Sequence, residues 1–274
     1  MKKLGFVGGG NMAEALIGGL IAAKLFKPSD LIASDVAPAR RRTLSRRYRI
    51  ATSADNREVA REASALLLAV KPQQIDSVMA ELRDAINQDR RAKSRLVISI
   101  AAGVTIARIA AALGACARVI RVMPNAPAMV GEGMAAIVLG DRATRADLKF
   151  ALNLFGSVGD AVALPDESML DAVTALSGSG PAYVYLFVKS MCEAAAKEGL
   201  PAPLAMRMAL KTVAGAERMM RMSKQDVDQL IRTVASPGGT TEAALRRLAQ
   251  AGFSDIVASA LRAAAARSRE LGRC

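Results

Sequence analysis

The feature that most constrains the fold is a glycine-rich segment near the start of the chain. Residues 8–13 read Gly-Gly-Gly-Asn-Met-Ala, after an apolar run at 4–7 and before a stretch with helical spacing. A G-x-G-x-x-A pattern between a strand and a helix allows a tight turn and lets the backbone approach a diphosphate. The segment therefore predicts a diphosphate site at Gly8, Gly9, Gly10, Asn11, Met12 and Ala13.

Short apolar runs and helical stretches alternate through the first part of the chain. The runs have the length of buried strands and lie at 4–7, 31–34, 66–70, 96–100 and 119–122. Helices are predicted between them at 11–24, 38–48, 72–87 and 105–113. This alternation predicts a parallel sheet with helices on both faces. We therefore expect an α/β Rossmann-type doubly wound domain over residues 1–163.

Beyond residue 163 the pattern is helical. Helices are predicted at 166–176, 181–199, 202–222, 224–234, 240–251 and 253–271. They form a predicted all-α C-terminal domain over residues 164–274. A domain so small cannot hide every apolar face of such helices, which favours a homo-oligomer through helical interfaces. The alternative is that its methionines fill the domain's own core: Met191, Met206, Met208, Met219, Met220 and Met222.

Composition is typical of a protein without a membrane segment or a structural metal. Hydrophobic residues make up 52% of the chain, but the apolar runs above are strand-length, far below the ~20 residues of a membrane span. Glycines interrupt the apolar start at once, which argues against a signal peptide. Cys116, Cys192 and Cys274 form no CxxC pair. This cysteine pattern favours a reducing cytoplasm and predicts no metal site.

The net charge of +13 raises the question of a nucleic-acid partner. The basic residues are mostly dispersed along predicted helices, and no RNA-binding aromatic signature accompanies them. We therefore expect a solvated basic surface and no nucleic-acid partner. One local cluster stands out after the second strand: Arg40, Arg41, Arg42, Arg46, Arg47 and Arg49.

Two signals conflict on the coenzyme. Ser34 and Asp35 end the second predicted strand, where a carboxylate would accept hydrogen bonds from the adenosine ribose and repel a 2′-phosphate. That favours NADH. Arg40 to Arg42 follow closely, and guanidinium groups suit a phosphate, which favours NADPH. These arginines could also simply coat a helix.

Three further segments end predicted strands at the same edge of the sheet, where open α/β sheets bind ligands. We expect them near the nicotinamide, although each residue alone could equally be a turn former. The residues are Val70, Lys71, Pro72, Ala101, Ala102, Gly103 and Asn125.

A second glycine-rich helix start lies near the other end of the chain, at residues 236–241. Its free backbone N–H groups predict a second anion site, at Ser236, Gly238, Gly239, Thr240 and Thr241. An ordinary helix cap is the plainer interpretation, with Thr240 or Thr241 capping and Glu242 completing the arrangement. The two interpretations are compatible.

Six segments in this order resemble the pyrroline-5-carboxylate reductase family: GFVGGGNMA, AVKP, ISIAAGVT, RVMPNAPA, SGSGPAYVY and VASPGGTTEAAL. The resemblance runs from Lys3 to about Leu271. It implies reduction of 1-pyrroline-5-carboxylate to L-proline by NADPH or NADH. It also implies a dimer built from the helical domains, which in this family often assembles into a decamer.

The resemblance assigns roles to matching residues. It places Asn56 near the adenosine ribose, the loop 236–241 around the substrate carboxylate, and the Thr241 hydroxyl opposite the ring nitrogen. Many relatives have a small or neutral residue where this chain has Asp35, so the family's usual preference for NADPH is in question here.

Two other functions stay open. A β-hydroxyacid dehydrogenase shares the glycine motif but needs an asparagine four residues after its lysine, and here Glu193 follows Lys189. A non-catalytic NAD(P)-binding module would leave the second glycine loop unexplained. The chain has no histidine, which excludes a Ser-His-Asp hydrolase, a histidine zinc site and histidine-assisted hydride transfer. Reduction of a protonated C=N bond needs mainly positioning, so it tolerates this lack.

Overall fold

The computed structural model describes residues 2–88, 95–114 and 117–273. Their contacts group into two units, Met1–Ser179 with Ala264–Cys274, and Gly180–Ala263. This contact boundary lies later than the predicted start of the helical domain at residue 164. Cys116 and Cys274 lie outside the described residues, and Cys192 is a free thiol.

The first unit is built on one eight-stranded sheet with the order β3-β2-β1-β4-β5-β6-β7-β8. Its strands are β1 Lys2–Val7, β2 Leu31–Ser34, β3 Ala51–Ser53, β4 Ala63–Leu68, β5 Leu96–Ser99, β6 Arg118–Pro124, β7 Gly133–Leu139 and β8 Gly159–Ala163. Its α-helices are α1 Asn11–Ala22, α2 Pro38–Tyr48, α3 Asn56–Glu62, α4 Ile75–Gln88, α5 Ile106–Leu113, α6 Arg145–Gly156 and α7 Met169–Val173.

Both faces of the sheet are covered, as the doubly wound prediction requires. Leu67 on β4 packs with α1 and α6 in one apolar core, and its neighbour Leu66 packs with α3, α4 and α5 in the other. Because side chains alternate along a strand, successive residues of the buried strands enter opposite cores. This explains why these strands are apolar throughout rather than alternating.

The predicted parallel sheet is confirmed for β1 to β6, whereas β7, a strand that the sequence analysis did not predict, departs from it. β7 pairs antiparallel with β6, and β8 then pairs parallel with β7. The link from β6 to β7 is a short 3₁₀ turn, Ala126–Val130, ended by Gly131 at φ 80°. So short a link can only join antiparallel neighbours, because a parallel pair needs a long crossover. The sequence analysis missed the strands β3, β7 and β8 and the helices α3 and α6.

The second unit contains α8 Gly180–Lys197, α9 Ala202–Met222, α10 Val227–Val234, α11 Thr240–Gln250 and the first half of α12 Phe253–Arg273. In the single chain many of its large apolar side chains are exposed, including Tyr185 at 65% and Met222 at 72%. Among the predicted core methionines, Met206, Met208, Met219, Met220 and Met222 are all exposed. The alternative of an intradomain methionine core is therefore wrong for these five. Within the described residues, no helix is both long and apolar enough to span a bilayer.

Candidate active site

The strand ends line up along one edge of the sheet. Val7 at the end of β1 is in register with Ser34 on β2 and with Leu68 on β4, and Leu68 is in register with Ser99 on β5. Strand order runs one way from β1 to β3 and the other way from β4 onward. Ligands of open α/β sheets bind at such a reversal, beyond the carboxyl ends of the strands.

The first glycine loop lies at this reversal and has little room on one side. Gly8 has φ +97°, and a Cβ there would lie 2.7 Å from the carbonyl oxygen of Ala69. At Gly10 no atom lies within 4 Å of the Cβ position. Gly10 is the N-cap of α1. Because glycine has no side chain to cap the helix, the first backbone N–H groups of α1 stay available to a ligand. A diphosphate fits this arrangement.

Asp35 holds the same loop from the β2 side. Its Oδ2 accepts a hydrogen bond from the N–H of Gly9 at 2.9 Å, and its Oδ1 accepts one from Ala37 at 2.8 Å. The carboxylate is therefore beside the glycine loop, in the position expected for the group that meets the adenosine ribose.

Some arginines of the cluster bind other groups of the protein, and the others are exposed. Arg40 donates to the Gly9 carbonyl and to Glu14, and Arg41 donates to the carbonyl of Asp35 at 2.6 Å. Arg47 pairs with Glu14 at 3.1 Å. Arg42, Arg46 and Arg49 are exposed. The idea that Arg40 to Arg42 merely coat a helix is thus wrong for Arg40 and Arg41, whereas Arg42 is exposed on the helix surface.

Glu14 organises the arginine contacts, and the sequence analysis missed it. Besides Arg40 and Arg47, it accepts a hydrogen bond from the Tyr48 hydroxyl at 3.3 Å. Burial, together with the negative charge of Glu14, raises the pKa of Tyr48, which keeps this hydroxyl protonated as a donor. Glu14 lies one helical turn after Gly10, and only the fold brings α2 against it.

Asn56 lies beside Ser34 at the strand edge. The Ser34 hydroxyl, fully buried, donates to Asn56 Oδ1 at 2.7 Å. The amide nitrogen of Asn56 in turn donates to Glu81 at 2.9 Å. The structure therefore brings Ser34, Asp35 and Asn56 together, and Glu81 on α4 is a support that the sequence did not reveal.

The loops after β4 and β5 follow at the same edge. Val70 packs against the glycine loop, since its Cγ1 lies 3.0 Å from where a Cβ of residue 8 would be. Lys71 is exposed, and Pro72 starts a 3₁₀ turn. Ala101 is buried and Ala102 is half-buried. Gly103 has φ +77° and touches Leu271 near the end of α12, so a side chain there would collide with this helix.

Asn125 follows β6 and is engaged in structural contacts. Its amide nitrogen donates to the Ser177 hydroxyl at 3.1 Å, and its oxygen accepts from the N–H of Met134 at 2.8 Å. Ser177 belongs to a π-helical turn, Thr174–Gly178. Asn125 thus fixes that turn and β7 next to the strand edge.

The second glycine loop lies in the second unit and is mostly exposed. Gly238 has φ +71° and its N–H donates to Glu242 at 2.5 Å, while the N–H of Gly239 donates to the Ser236 carbonyl at 2.9 Å. The N-cap of α11 is Gly239, without a side-chain cap. The prediction that Thr240 or Thr241 caps the helix is therefore wrong, because both already lie inside its first turn.

Thr241 borders an apolar cavity of about 250 Å³ within the second unit. Among the described residues lining this cavity, Thr241 is the only polar one; the others are Ala216, Met219, Met220, Val227, Leu230, Ile231, Val234 and Leu245. Its hydroxyl consequently has few polar neighbours to compete with a ligand group.

Family models match both parts of the chain. Residues 167–271 match the pyrroline-5-carboxylate reductase dimerisation model, and residues 3–103 match an NADP oxidoreductase, coenzyme F420-dependent, model. A pyrroline-5-carboxylate reductase from Synechocystis is 42% identical over 271 residues, covering 99% of this chain and 98% of the relative. The chain belongs to the pyrroline-5-carboxylate reductase family.

Solved structures of this family agree over the full length. The reductase from Coxiella burnetii has a TM-score of 0.89 at 35% identity, covering 98% of both chains. The Plasmodium falciparum enzyme, solved with NADP bound, has a TM-score of 0.88 at 32% identity, covering 99% of this chain and 98% of that one. Pyrroline-5-carboxylate reductases are thus similar to this chain in both units.

The β-hydroxyacid dehydrogenase alternative finds no support beyond the fold. A 3-hydroxyisobutyrate dehydrogenase from Salmonella typhimurium is similar at only 16% identity, with a TM-score of 0.53. Lys189, the candidate for its catalytic lysine, is exposed and pairs with Glu193 at 3.5 Å. Family membership decides against this alternative and against a non-catalytic module.

Proposed function

We propose that the chain reduces 1-pyrroline-5-carboxylate to L-proline with a reduced nicotinamide coenzyme, the last step of proline biosynthesis. The observation that carries this proposal is the relation to pyrroline-5-carboxylate reductases over 99% of the chain. The two open helix starts support it, because the reaction needs sites for a diphosphate and for a carboxylate.

The first unit has the groups needed to hold the coenzyme. Gly10 leaves open space at the head of α1, and the uncapped helix offers its N–H groups to a diphosphate. Ser34, Asp35 and Asn56 would receive the adenosine ribose, and the loops at 70–72 and 101–103, with Asn125 behind them, would border the nicotinamide. When bound, the reduced nicotinamide supplies the hydride for the C=N bond.

The second unit would hold the substrate carboxylate at the head of α11. Gly238 and Gly239 already donate within their own loop, so Thr240 and Thr241 in the first helical turn offer the more available N–H groups. Ser236, Gly238 and Gly239 form the loop that leads into this helix, and Gly239 adds no side-chain cap to its first turn. The Thr241 hydroxyl would orient the ring nitrogen and pass it a proton from water; orientation is its main contribution, since a hydroxyl is a weak acid.

We further propose that NADH is the preferred coenzyme. The Asp35 carboxylate is adjacent to Gly9, where its charge would repel a 2′-phosphate. The two nearest arginines, Arg40 and Arg41, donate to backbone carbonyls instead. The relative from Plasmodium falciparum was solved with NADP bound, so both coenzymes are included in the test.

The assembly and location of the enzyme are also proposals. The exposed apolar helices of the second unit and the match to a dimerisation model support a homodimer, which could assemble into a decamer. Sedimentation at micromolar concentration distinguishes dimer, decamer and monomer. The cysteine spacing of the sequence, which contains no CxxC pair, supports a cytoplasmic location, and fractionation of the source cells tests it.

The deciding experiment is a spectrophotometric assay of 1-pyrroline-5-carboxylate with NADH and with NADPH at equal concentration. We expect proline to form with both and a higher kcat/KM with NADH. Oxidation of 3-hydroxyisobutyrate without reduction of the imine would reject the proposed reaction. A higher kcat/KM with NADPH would reject only the coenzyme proposal.

A further inference from the structure

Arg40 contacts the backbone of the glycine loop. Its Nε lies 2.9 Å and its terminal Nη2 2.7 Å from the Gly9 carbonyl oxygen, a two-point grip on one acceptor. The same Nη2 pairs with Glu14 at 2.7 Å. Its guanidinium is thus directed at the backbone of the diphosphate loop.

The Gly9 residue is held from both sides. Asp35 accepts from its N–H at 2.9 Å, and Arg40 donates to its carbonyl. We refer to Asp35, Gly9, Arg40 and Glu14 together as the Gly9 clamp. We infer that Arg40 acts as a positioning residue that orients the diphosphate loop through this clamp, and is not the ligand of a 2′-phosphate. The inference rests on the proposed coenzyme site.

Peptide geometry explains how the clamp would act on a ligand. In a planar trans peptide the Gly9 carbonyl and the Gly10 N–H point in opposite directions. Arg40 draws the carbonyl toward α2, so the Gly10 N–H is turned to the other side. At Gly10 the Cβ position has no neighbour within 4 Å, which is the space expected for the diphosphate.

Packing and ion pairing hold the Arg40 guanidinium against the Gly9 carbonyl. Glu14 is only 16% exposed and also accepts from Arg47 and Tyr48, so its carboxylate is fixed by three donors. Leu44, on the same helix as Arg40, lies 2.8 Å from the Cβ position of Gly9. Moving Arg40 out to a phosphate would break a charge-assisted pair with a carboxylate that is already largely desolvated.

The test is the affinity of the unmodified protein and of two variants for NADH, NADPH and ADP, measured by calorimetry. For Arg40→Met, which keeps the apolar stem, we expect all three affinities to fall by a similar factor, about tenfold. Arg40→Lys should recover part of the loss, because one ammonium can still reach the Gly9 carbonyl. At saturating coenzyme kcat should stay near the unmodified value, since only loop positioning is altered.

Arg46→Met is the matched control. Arg46 lies on the same helix, is exposed and carries the same charge, yet among the described residues it makes no hydrogen bond or ion pair with the loop. It should leave NADH and ADP affinities unchanged. If Arg40→Met instead folds poorly, Glu14→Gln tests the clamp from its other end and should weaken NADH and NADPH equally, by a smaller factor.

Three outcomes would overturn the inference. A loss confined to NADPH after Arg40→Met would make Arg40 a phosphate ligand. Unchanged affinities for all ligands would show that the clamp does not position the loop, and an equal loss in Arg46→Met would indicate a general charge effect. If the unmodified protein binds NADH but does not reduce the imine, the proposed reaction is wrong and the binding measurements still test the Gly9 clamp. If it binds neither coenzyme, the proposed reaction and the Gly9 clamp are both wrong.

Discussion

The two glycine-rich helix starts have similar sequences and opposite surroundings. The first is enclosed: Gly8 borders the β4 end, Gly9 is held between Asp35 and Arg40, and Leu44 packs on it. The second is mostly exposed, and its recorded contacts come from Ser236 and Glu242 within the same short segment. One loop is shaped by distant parts of the chain, and the other by its own local sequence.

This difference has a physical consequence. A loop held by strands and by a neighbouring helix loses little further freedom when a ligand binds, whereas an exposed loop must be ordered by the ligand or by a partner. We therefore expect the first loop to be sensitive to any added volume. The second should tolerate volume better and respond mainly to changes in hydrogen bonding and charge.

The largest effect should come from comparing Gly8→Ala with Gly238→Ala. Both glycines have positive φ, so each alanine costs about 1–2 kcal/mol of backbone strain. Gly8→Ala adds a collision with the Ala69 carbonyl, while Gly238 has open space around it. We expect Gly8→Ala to destabilise the protein by about 2–5 kcal/mol and to abolish NADH binding. Thermal unfolding measures the loss of stability, and calorimetry measures NADH binding. Equal shifts of the melting temperature in the two variants would contradict the expected difference between the two loops.

Thr241→Ala tests whether the second loop has a chemical function. We expect kcat/KM for the imine to fall about tenfold or more, because the hydroxyl that orients the ring nitrogen is lost. Coenzyme affinity should be unchanged. Thr241→Ser retains the hydroxyl and is the matched control, expected to keep most of the activity. Steady-state kinetics with both variants decide the matter, and unchanged kinetics in Thr241→Ala would remove Thr241 from the mechanism.

Asp35→Ser tests the charge beside the first loop. Removing a carboxylate adjacent to Gly9 should favour NADPH, and we expect the ratio of kcat/KM for NADPH over NADH to rise about tenfold. Asp35→Glu, which keeps the charge, should leave the ratio near its original value. The same rise in both variants would mean that the carboxylate charge does not select the coenzyme.

The smallest effect is expected for Glu242→Gln. The amide oxygen can still accept from the Gly238 N–H, but the negative charge near the head of α11 disappears. A less negative helix start should attract the substrate carboxylate more strongly, lowering KM for the imine about twofold to threefold. Coenzyme KM should not move. A higher KM for the imine would show that Glu242 supports the loop chiefly through its charge.

Much of the fold followed from the sequence because its signals are local. The G-x-G-x-x-A segment, the uninterrupted apolar strands and the helices beyond residue 163 each depend on short-range spacing, and each was predicted correctly. The strands β3, β7 and β8 were missed. β3 has three residues and β8 is the short run Gly-Asp-Ala-Val-Ala, so neither carries a strong strand pattern. β7 ends in Ile-Val-Leu, a strand-forming run that the sequence analysis overlooked.

Only part of the candidate site could be predicted from local sequence. Glycines that need positive φ and residues that end strands could be found from type and spacing alone. The partners of those residues could not: Glu81 behind Asn56, Ser177 behind Asn125 and Glu14 behind Arg40 all lie on other elements.

By itself the sequence determined the two helix starts, the family, and the alternation of β1, β2, β4, β5 and β6 with α1, α2, α4 and α5 in the first unit. Only the tertiary structure decided the direction of β7 and the use of the arginine cluster. Backbone conformation and strand burial depend mainly on neighbouring residues. A guanidinium, in contrast, can donate to a phosphate, to water or to a carbonyl, and its position in the sequence does not say which. Its choice depends on which acceptor the fold brings within 3 Å, and for Arg40 that acceptor is the Gly9 carbonyl at 2.7 Å.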